Sequence, residues 1–422
     1  MKIISVRNID NFAELVRPKP SKQNKKTVES IISDVRKRGD IAVKQYEKKF
    51  GGAKLGTLQI SKNERKRAYS KVKPEELAAI KIAKQRLTKT ETAIKNLLKQ
   101  VSIKIDGIKI KKSFSAIGSV GCYVPGGLAH YPTTLVMSVI PAKVAGVKRI
   151  AVVSPPNKQG KIDPLTLVAA DICGVDEFYK TGGAQAIAAL CYGTKSIPKV
   201  DKIVGPGGSF VTIAKSIVSE TTSIDMNAGP TELGIIVDDS ADYDLIISDL
   251  FSQAEHSEDT FCFVITTSTK FAKKLNQQLK IKIQNVKRRK IIQKSLNKNG
   301  FIALCKTESD VINLANKLAP EHLEIITKTP QRLAGKIKTA GLILIGKNTP
   351  SAASDYLFGS NHILPTSGFG KVRGSLSVLD FLKLRTEVES SQKSLRKISK
   401  FMKVLSESEG LSNHFESVRK RL

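Results

Sequence analysis

The sequence predicts an α/β protein built from two Rossmann-like domains with parallel sheets, plus a helical N-terminal segment and a helical C-terminal tail. Three observations predict it. From about Ser113 onward, short β-branched runs alternate with helical patterns every ~10–15 residues, the rhythm of βαβ units. Paired glycines stand at three strand-to-helix junctions. The flanking thirds carry apolar residues at three-to-four spacing on otherwise charged stretches, which is an amphipathic helical pattern.

Ser21 to Leu98 reads as helices, with Val28, Ile31, Ile32 and Val35 on one face and a long run from Glu75 onward. Ala116 to Val124 is apolar and ends in the turn Pro125-Gly126-Gly127, and a helix follows over Thr133 to Val147. A strand over Arg149 to Val153 closes at Ser154-Pro155-Pro156. The unit repeats as helix Leu165–Cys173, strand Glu177–Lys180, Gly182-Gly183 and helix Ala184–Cys191. It repeats again as strand Lys202–Val204, Gly205-Pro206-Gly207-Gly208 and helix Phe210–Val218. After Asp225 come strands at Leu233–Val237, Phe261–Thr267, Phe301–Leu304, Leu323–Thr327 and Gly341–Ile345. Between them lie helices at Asp242–His256, Ala272–Asn285 and Val311–Leu318. The tail from Leu379 reads as polar helix with little core of its own, so it is expected to dock on something else.

At 422 residues and 41% hydrophobic content, the chain can bury more than one core. Net charge is +32, which makes nucleic acid the first partner to weigh. The excess is uneven. Residues 1–112 hold 30 Lys/Arg against 11 Asp/Glu, whereas residues 113–240 hold 10 of each. The basic parts are lysine-dominated, Trp is absent and aromatics are only 5%, so stacking surfaces for bases are scarce. A solvated basic surface is therefore preferred to nucleic-acid binding. Five cysteines without a CxxC pair exclude a disulfide scaffold and a zinc ribbon. With no apolar leader and no run of ~18 apolar residues, the expectation is a cytoplasmic protein with no membrane association.

The glycine pairs suit backbone approach to a phosphate at a helix N-terminus, although each alone serves equally for close strand–helix packing. Together in one neutral segment they favour a nucleotide or dinucleotide. Four of the five histidines have polar company. His256 follows Gln253 by three residues, and Glu321-His322 follows Pro320 in what reads as a loop. Asp355 and His362 flank Gly359-Ser360-Asn361, and Glu409 and His414 lie in the tail. Imidazole with carboxylate is a common zinc environment, and Glu-His is a common acid/base pair, but each residue alone is also compatible with a structural role. His130 has no such company, and the cysteines sit in apolar contexts that suit buried filler.

These segments occur together in one known order. Cys122-Tyr123-Val124-Pro125-Gly126-Gly127, Gly182-Gly183-Ala184-Gln185, Val204-Gly205-Pro206-Gly207, Ala228-Gly229-Pro230-Thr231-Glu232, Gln253-Ala254-Glu255-His256, Pro320-Glu321-His322-Leu323 and Ser360-Asn361-His362 follow the pattern of the histidinol dehydrogenases. The chain resembles that family from about Ser21 to His414. The resemblance implies oxidation of L-histidinol through L-histidinaldehyde to L-histidine, the last step of histidine biosynthesis, in two NAD-linked steps. It implies one zinc ion per subunit, held by Gln253, His256 and Asp355, with His414 supplied by the other subunit of a homodimer. Glu321 and His322 match the acid/base pair. His362, Glu409 and Thr231 match substrate positions, alongside the zinc ligands and His322, and Thr231 stands where Ser is usual. Tyr123, Gln185 and Gly208 match NAD positions, and Gly208 replaces the usual Asn. Asn227 also stands where Pro is frequent.

On that pattern the chain divides into an N-terminal tail (1–20), a discontinuous first domain (21–120 with 235–375), a second domain (121–234) and a helical dimerisation tail (376–422). Two alternatives stand beside this reading. One is a relative acting on another amino alcohol, which His362 and Glu409 oppose. The other is a basic nucleic-acid-binding protein, which the neutral glycine-rich segment opposes.

Overall fold

The computed structural model describes residues 1–18, 24–126, 130–226 and 229–422. Gly127, Asn227 and Ala228, named above, lie outside the described residues. The chain opens with strand β1 (Lys2–Ser5) and a helix (Ile9–Val16) capped by the Asn8 side chain. Helices over Lys25–Arg38, Asp40–Tyr46, Lys62–Ala68 and Pro74–Asn96 follow, with one wide helical turn at Glu47–Gly51. Strands β2 (Val101–Ile105) and β3 (Ile108–Ala116) form a hairpin about Asp106-Gly107. Both turn residues have positive φ, as a two-residue hairpin turn requires.

Next come β4 (Ser119–Tyr123), β5 (Arg149–Ser154), β6 (Glu177–Lys180), β7 (Lys202–Val204) and β8 (Ser223–Ile224). They are followed by β9 (Glu232–Val237), β10 (Phe261–Thr266), β11 (Phe301–Leu304), β12 (His322–Ile326), β13 (Leu342–Ile345) and β14 (Leu382–Glu389). One parallel sheet, sheet I, runs β6-β5-β4-β7-β8, and a second, sheet II, runs β1-β11-β10-β9-β12-β13. If the strands of each are numbered afresh from β4 and from β9, both read 3-2-1-4-5, the doubly wound order. The α/β expectation with two parallel sheets holds.

Residues two apart point to the same face of a strand, and the cores follow that period. Ile150 and Val152 pack under the helices Pro74–Asn96, Pro132–Ala145 and Pro164–Ile172. Ala151 and Val153 face Lys25–Arg38, Gly183–Tyr192 and Ser209–Val218. In sheet II, Leu233, Ile235, Cys262 and Val264 meet Tyr243–Ala254 and Thr269–Lys282. Phe261, Phe263 and Ile265 meet Glu308–Leu318 on the other face.

Three boundaries differ from the sequence reading. The first 20 residues are not a free tail: β1 pairs in parallel with β11, and Phe12 packs edge-on against Phe301 at 5.4 Å. The helices of the 21–120 segment belong to sheet I, not to the 235–375 half, because Val28, Ile31, Ile32 and Val35 bury against Ile187 and Leu190. The tail begins as strand, not helix. β14 pairs antiparallel with β3 in a third sheet, β14-β3-β2, before helices Gln392–Ser408 and Ser412–Arg419.

At the carboxyl end of sheet II, Asp238 follows β9 and accepts hydrogen bonds from Ser240 N and Lys328 N, each at 2.9 Å. One carboxylate thus spans the place where the winding direction reverses between β9 and β12. A buried carboxylate ties distant elements of sheet I together. Glu91 is buried and accepts from Val378 N at 2.6 Å. Burial chiefly, then the nearby Asp380 charge, pushes its carboxyl up to about 7. A folded-state value raised above the ordinary one means a stabilising contribution that is complete below about pH 4.5 and lost as pH rises through 7. Glu91→Gln is therefore expected to be the more stable chain at pH 8, by about 1–3 kcal/mol, with little difference at pH 5. Melting temperatures at the two pH values check this, and a constant difference would refute it.

Candidate active site

The site residues gather where two opposite strand ends meet. Tyr123 ends β4, and Gly205 follows β7, so both lie at the carboxyl end of sheet I at its switch point. Thr231 precedes β9 and His322 opens β12, so both lie at the amino end of sheet II. Thr134 links the two sides. It sits in the first turn of helix Pro132–Ala145, after β4, and its Oγ1 is 2.9 Å from His362 Nε2.

Glu321 stands just before a strand, as the sequence suggested, but His322 already belongs to that strand, paired into β12 opposite Leu233, and both residues are buried. Glu321 Oε2 accepts from Thr231 Oγ1 at 2.7 Å and from Glu232 N at 2.8 Å. Thr231 Oγ1 also lies 3.4 Å from Gln253 Oε1, which connects the acid to the end of helix Tyr243–Ala254. Burial pushes the Glu321 carboxyl up, against His322 and the two donors.

His322 lies between carboxylates, with Nδ1 3.8 Å from Glu321 Oε2 and Nε2 3.4 Å from Asp355 Oδ1. Burial opposes protonation of its ring, but Glu321 and Asp355 outweigh burial and raise it to about 9. Among the described residues, neither ring nitrogen nor Asp355 Oδ1 makes a well-formed hydrogen bond beyond these ion pairs, although all three are buried. Burial alone would push Asp355 up, yet His322, His362 and His256 hold it below the usual range.

Asp355 stands just past the short helix Ser351–Ser354, and His362 Nδ1 is 2.8 Å from the Asp355 carbonyl oxygen, closing the loop between them. His256 does not share a helical face with Gln253. The helix ends at Ala254, and His256 is reached by a turn in which its N–H bonds to Gln253 O at 3.1 Å. Its ring keeps an exposed edge, but the protein packed around it lowers its proton affinity, ahead of the opposing attraction of Asp355 and Glu255. His256, Asp355 and Gln253 offer nitrogen and oxygen donors of the kind zinc takes. Among the described residues no group of three or more His, Cys, Asp and Glu is arranged to hold a metal ion. Glu409 and His414 are exposed on the tail, and neither side chain makes a hydrogen bond or ion pair, so one chain does not bring them to the site. His130 is likewise exposed.

The three glycine turns are not equivalent. Gly182 N donates to Glu47 Oε1 at 2.8 Å and Gly183 N to Tyr123 Oη at 3.2 Å, so that turn's amides are engaged by the protein. Gly126 serves packing, since a Cβ there would stand 3.0 Å from Pro155 Cγ. At the third turn, Gly205 N donates to Asp225 Oδ2 at 2.7 Å and Lys215 Nζ to Gly205 O at 2.9 Å, while the buried Lys215 and Asp225 pair with each other. Gly205 has φ +115 and leaves no room for a Cβ against the Tyr123 carbonyl. The amides of Gly207 and Gly208 make no hydrogen bond and stand at the start of helix Ser209–Val218, open to an anionic ligand. Sequence reasoning missed Glu47, Thr134, Lys215 and Asp225. Thr134 was marked by its place just after a glycine turn, but nothing local distinguishes Glu47 from its lysine-rich surroundings.

In this α/β fold the buried Glu321-His322 pair on one parallel sheet thus lies across the Thr134–His362 contact from the glycine turns of the other. A family model described as histidinol dehydrogenase matches residues 16–422. The chain is 42% identical over 421 residues to the histidinol dehydrogenase of Methanocaldococcus jannaschii, covering 100% of this chain and 95% of that one. It is 40% identical over 427 residues to that of Clostridium acetobutylicum, covering 100% and 99%. The crystal structure of histidinol dehydrogenase from Elizabethkingia anophelis superposes with a TM-score of 0.93 at 31% identity, covering 100% and 98%. The chain belongs to the histidinol dehydrogenase family, and with that it is an oxidoreductase of histidine biosynthesis whose substrate is histidinol.

Proposed function

We propose that the chain oxidises L-histidinol to L-histidine in two NAD-linked steps, as a zinc-dependent cytoplasmic homodimer whose sites are shared between subunits. The observation that carries this is the buried cluster of His322 with Glu321 and Asp355, whose facing atoms stand 3.8 and 3.4 Å apart as ion pairs without a well-formed hydrogen bond, beside Gln253 and His256. Buried polar atoms so loosely engaged are costly, which favours a ligand that completes them. Gln253, His256 and Asp355 would hold the zinc. Zinc would supply an orienting template for the substrate imidazole and amine and offset the Asp355 charge, and NAD would supply the hydride acceptor.

The chain's own groups then divide the work. With the Asp355 charge taken up by the metal, His322 would lose part of what raises its proton affinity and could take the hydroxyl proton as hydride leaves to NAD. Glu321, held by Thr231 and Glu232 N, takes a proton from water as that water attacks the aldehyde carbon. His362, fixed between Thr134 and the Asp355 carbonyl, positions the substrate and excludes solvent. Tyr123 and Gln185 flank the crevice in which Gly207 and Gly208 would meet the cofactor.

Two features support the dimer. All of β2 is exposed, with Val101, Ile103 and Ile105 in water, and the tail helix exposes Phe401, Val404 and Leu405 at three-to-four spacing. Apolar faces of this kind belong at interfaces. His414 and Glu409 are also exposed and make no side-chain hydrogen bond or ion pair among the described residues, which suits residues that complete the site of a partner.

Counting NADH at its absorbance band per histidinol consumed tests the proposal. About two NADH per histidinol, lost on chelation and restored by zinc, is the expected result. A count of one, or activity indifferent to chelation, would overturn it. Gly208 allows a second test. Its backbone has ordinary φ, and nothing lies within 4 Å of a Cβ built there, so an Asn side chain fits. Gly208→Asn should tighten NAD about fivefold, the scale of one net hydrogen bond, and leave histidinol affinity unchanged. Equilibrium titration of the zinc-loaded protein reads both.

A further inference from the structure

Glu47 reaches out of the helical layer to the turn Thr181-Gly182-Gly183 and the helix that follows it. It lies in the wide turn Glu47–Gly51 and is buried. Its Oε1 accepts three hydrogen bonds, from Thr181 Oγ1 at 2.9 Å, Gly182 N at 2.8 Å and Gln185 Nε2 at 2.8 Å. Among the described residues no cation pairs with it. Three donors converging on one oxygen mean that this oxygen carries no proton, so it can only accept. Gln185 must therefore turn its NH2 group toward Glu47, because its carbonyl there would set two acceptors against each other. The carbonyl oxygen, Gln185 Oε1, is left facing the Gly182-Gly183 turn, 2.8 Å from where a Cβ on Gly183 would stand. It receives no hydrogen bond from the protein, and Gly183 has φ +60, a conformation that keeps a side chain out of that space.

We propose that Glu47 is a positioning residue that sets the orientation of the Gln185 amide, so that the crevice offers an acceptor, not a donor, to the dinucleotide. The inference rests on the cofactor reading above. The group that meets Gln185 Oε1 is then an N–H or O–H donor, either the nicotinamide carboxamide or a ribose hydroxyl. Glu47 does not touch the ligand and acts only through Gln185.

The test is the NAD dissociation constant of the zinc-loaded protein, read by calorimetry without turnover. Wild-type binding is the control. If wild type fails to bind NAD, the cofactor reading falls; if wild type binds and the variants below behave otherwise than stated, this inference alone falls. Glu47→Leu frees the amide to rotate and should weaken NAD about tenfold, the scale of one hydrogen bond. Glu47→Gln keeps a carbonyl acceptor for the three donors and should bind within about twofold of wild type, a rescue that loss of packing or charge would not give. Gln185→Leu should weaken NAD about tenfold, and adding Glu47→Leu to it should cost nothing more, since the two act as one unit. Independent, multiplying losses would overturn the inference. So would unchanged NAD binding by Gln185→Leu, which stands as the test even if Glu47→Leu does not fold. An acetylpyridine analogue of NAD, which lacks the carboxamide NH2, separates the two donors. Indifference of this analogue to Glu47→Leu assigns the carboxamide, and equal weakening assigns a ribose hydroxyl.

Discussion

Glu321→Gln is expected to stop the proposed four-electron oxidation after its first two electrons. The substitution is isosteric and keeps a carbonyl oxygen for Thr231 Oγ1 and Glu232 N, so the local structure should persist. What is lost is the base that activates water, worth about 10²–10⁴ in rate. The first oxidation, which uses His322, should proceed. NADH per histidinol should fall from about two toward one, with aldehyde accumulating. A second signature follows from electrostatics. Glu321 is one of the two carboxylates that raise His322. Removing its charge lowers the proton affinity of the imidazole, so the acidic limb of the first step should move to lower pH. Equal loss of both steps would remove Glu321 from its assigned role.

His414→Ala should be nearly inactive although that ring makes no hydrogen bond or ion pair among the described residues of its own chain. The side chain is exposed and unpartnered on helix Ser412–Arg419, so its loss should leave monomer stability and NAD affinity unchanged while zinc affinity and turnover fall by about 10²-fold or more. Mixing this variant with Glu321→Gln gives a sharper result. In a mixed dimer one site carries both lesions and the other carries neither. Random reassociation of equal parts should therefore restore about a quarter of wild-type histidine formation from two nearly inactive proteins. Failure to recover activity in demonstrably mixed dimers would show that each chain completes its own site.

Much of this was legible in the sequence, for identifiable reasons. The strands Glu177–Lys180, Lys202–Val204 and Phe301–Leu304 were placed to the residue, because buried parallel strands are short apolar runs closed by glycine or turn residues. The β2–β3 hairpin was missed although Asp106-Gly107 between alternating residues is a strong hairpin signal. Its lysines masked the alternation, since neither face of β2 is buried. β1 and β14 were missed because a charged edge strand owes its structure to a partner far away in sequence, at β11 and β3. Gln253, His256, Glu321, His322, Asp355 and His362 were all singled out, but local spacing misplaced two features. His256 lies past its helix, and Glu321-His322 is buried at a strand start. Glu47 shows the limit of reading locally, since it acquires its role only when three donors more than 130 positions away fold onto one oxygen.

The carboxylate of Asp238 at the far end of sheet II bears on the proposed two-step reading. Both sheets share one topology, but in sheet II the switch point is bridged by a side chain that already engages the amides on its two sides. On that reading only sheet I offers a seat for a dinucleotide. Two hydrides bound for two cofactors would then queue: the first reduced cofactor would depart before its replacement entered, and the half-oxidised substrate would wait through the exchange. The grip on the aldehyde would have to outlast that changeover, a delay imposed by a closed turn in the other sheet.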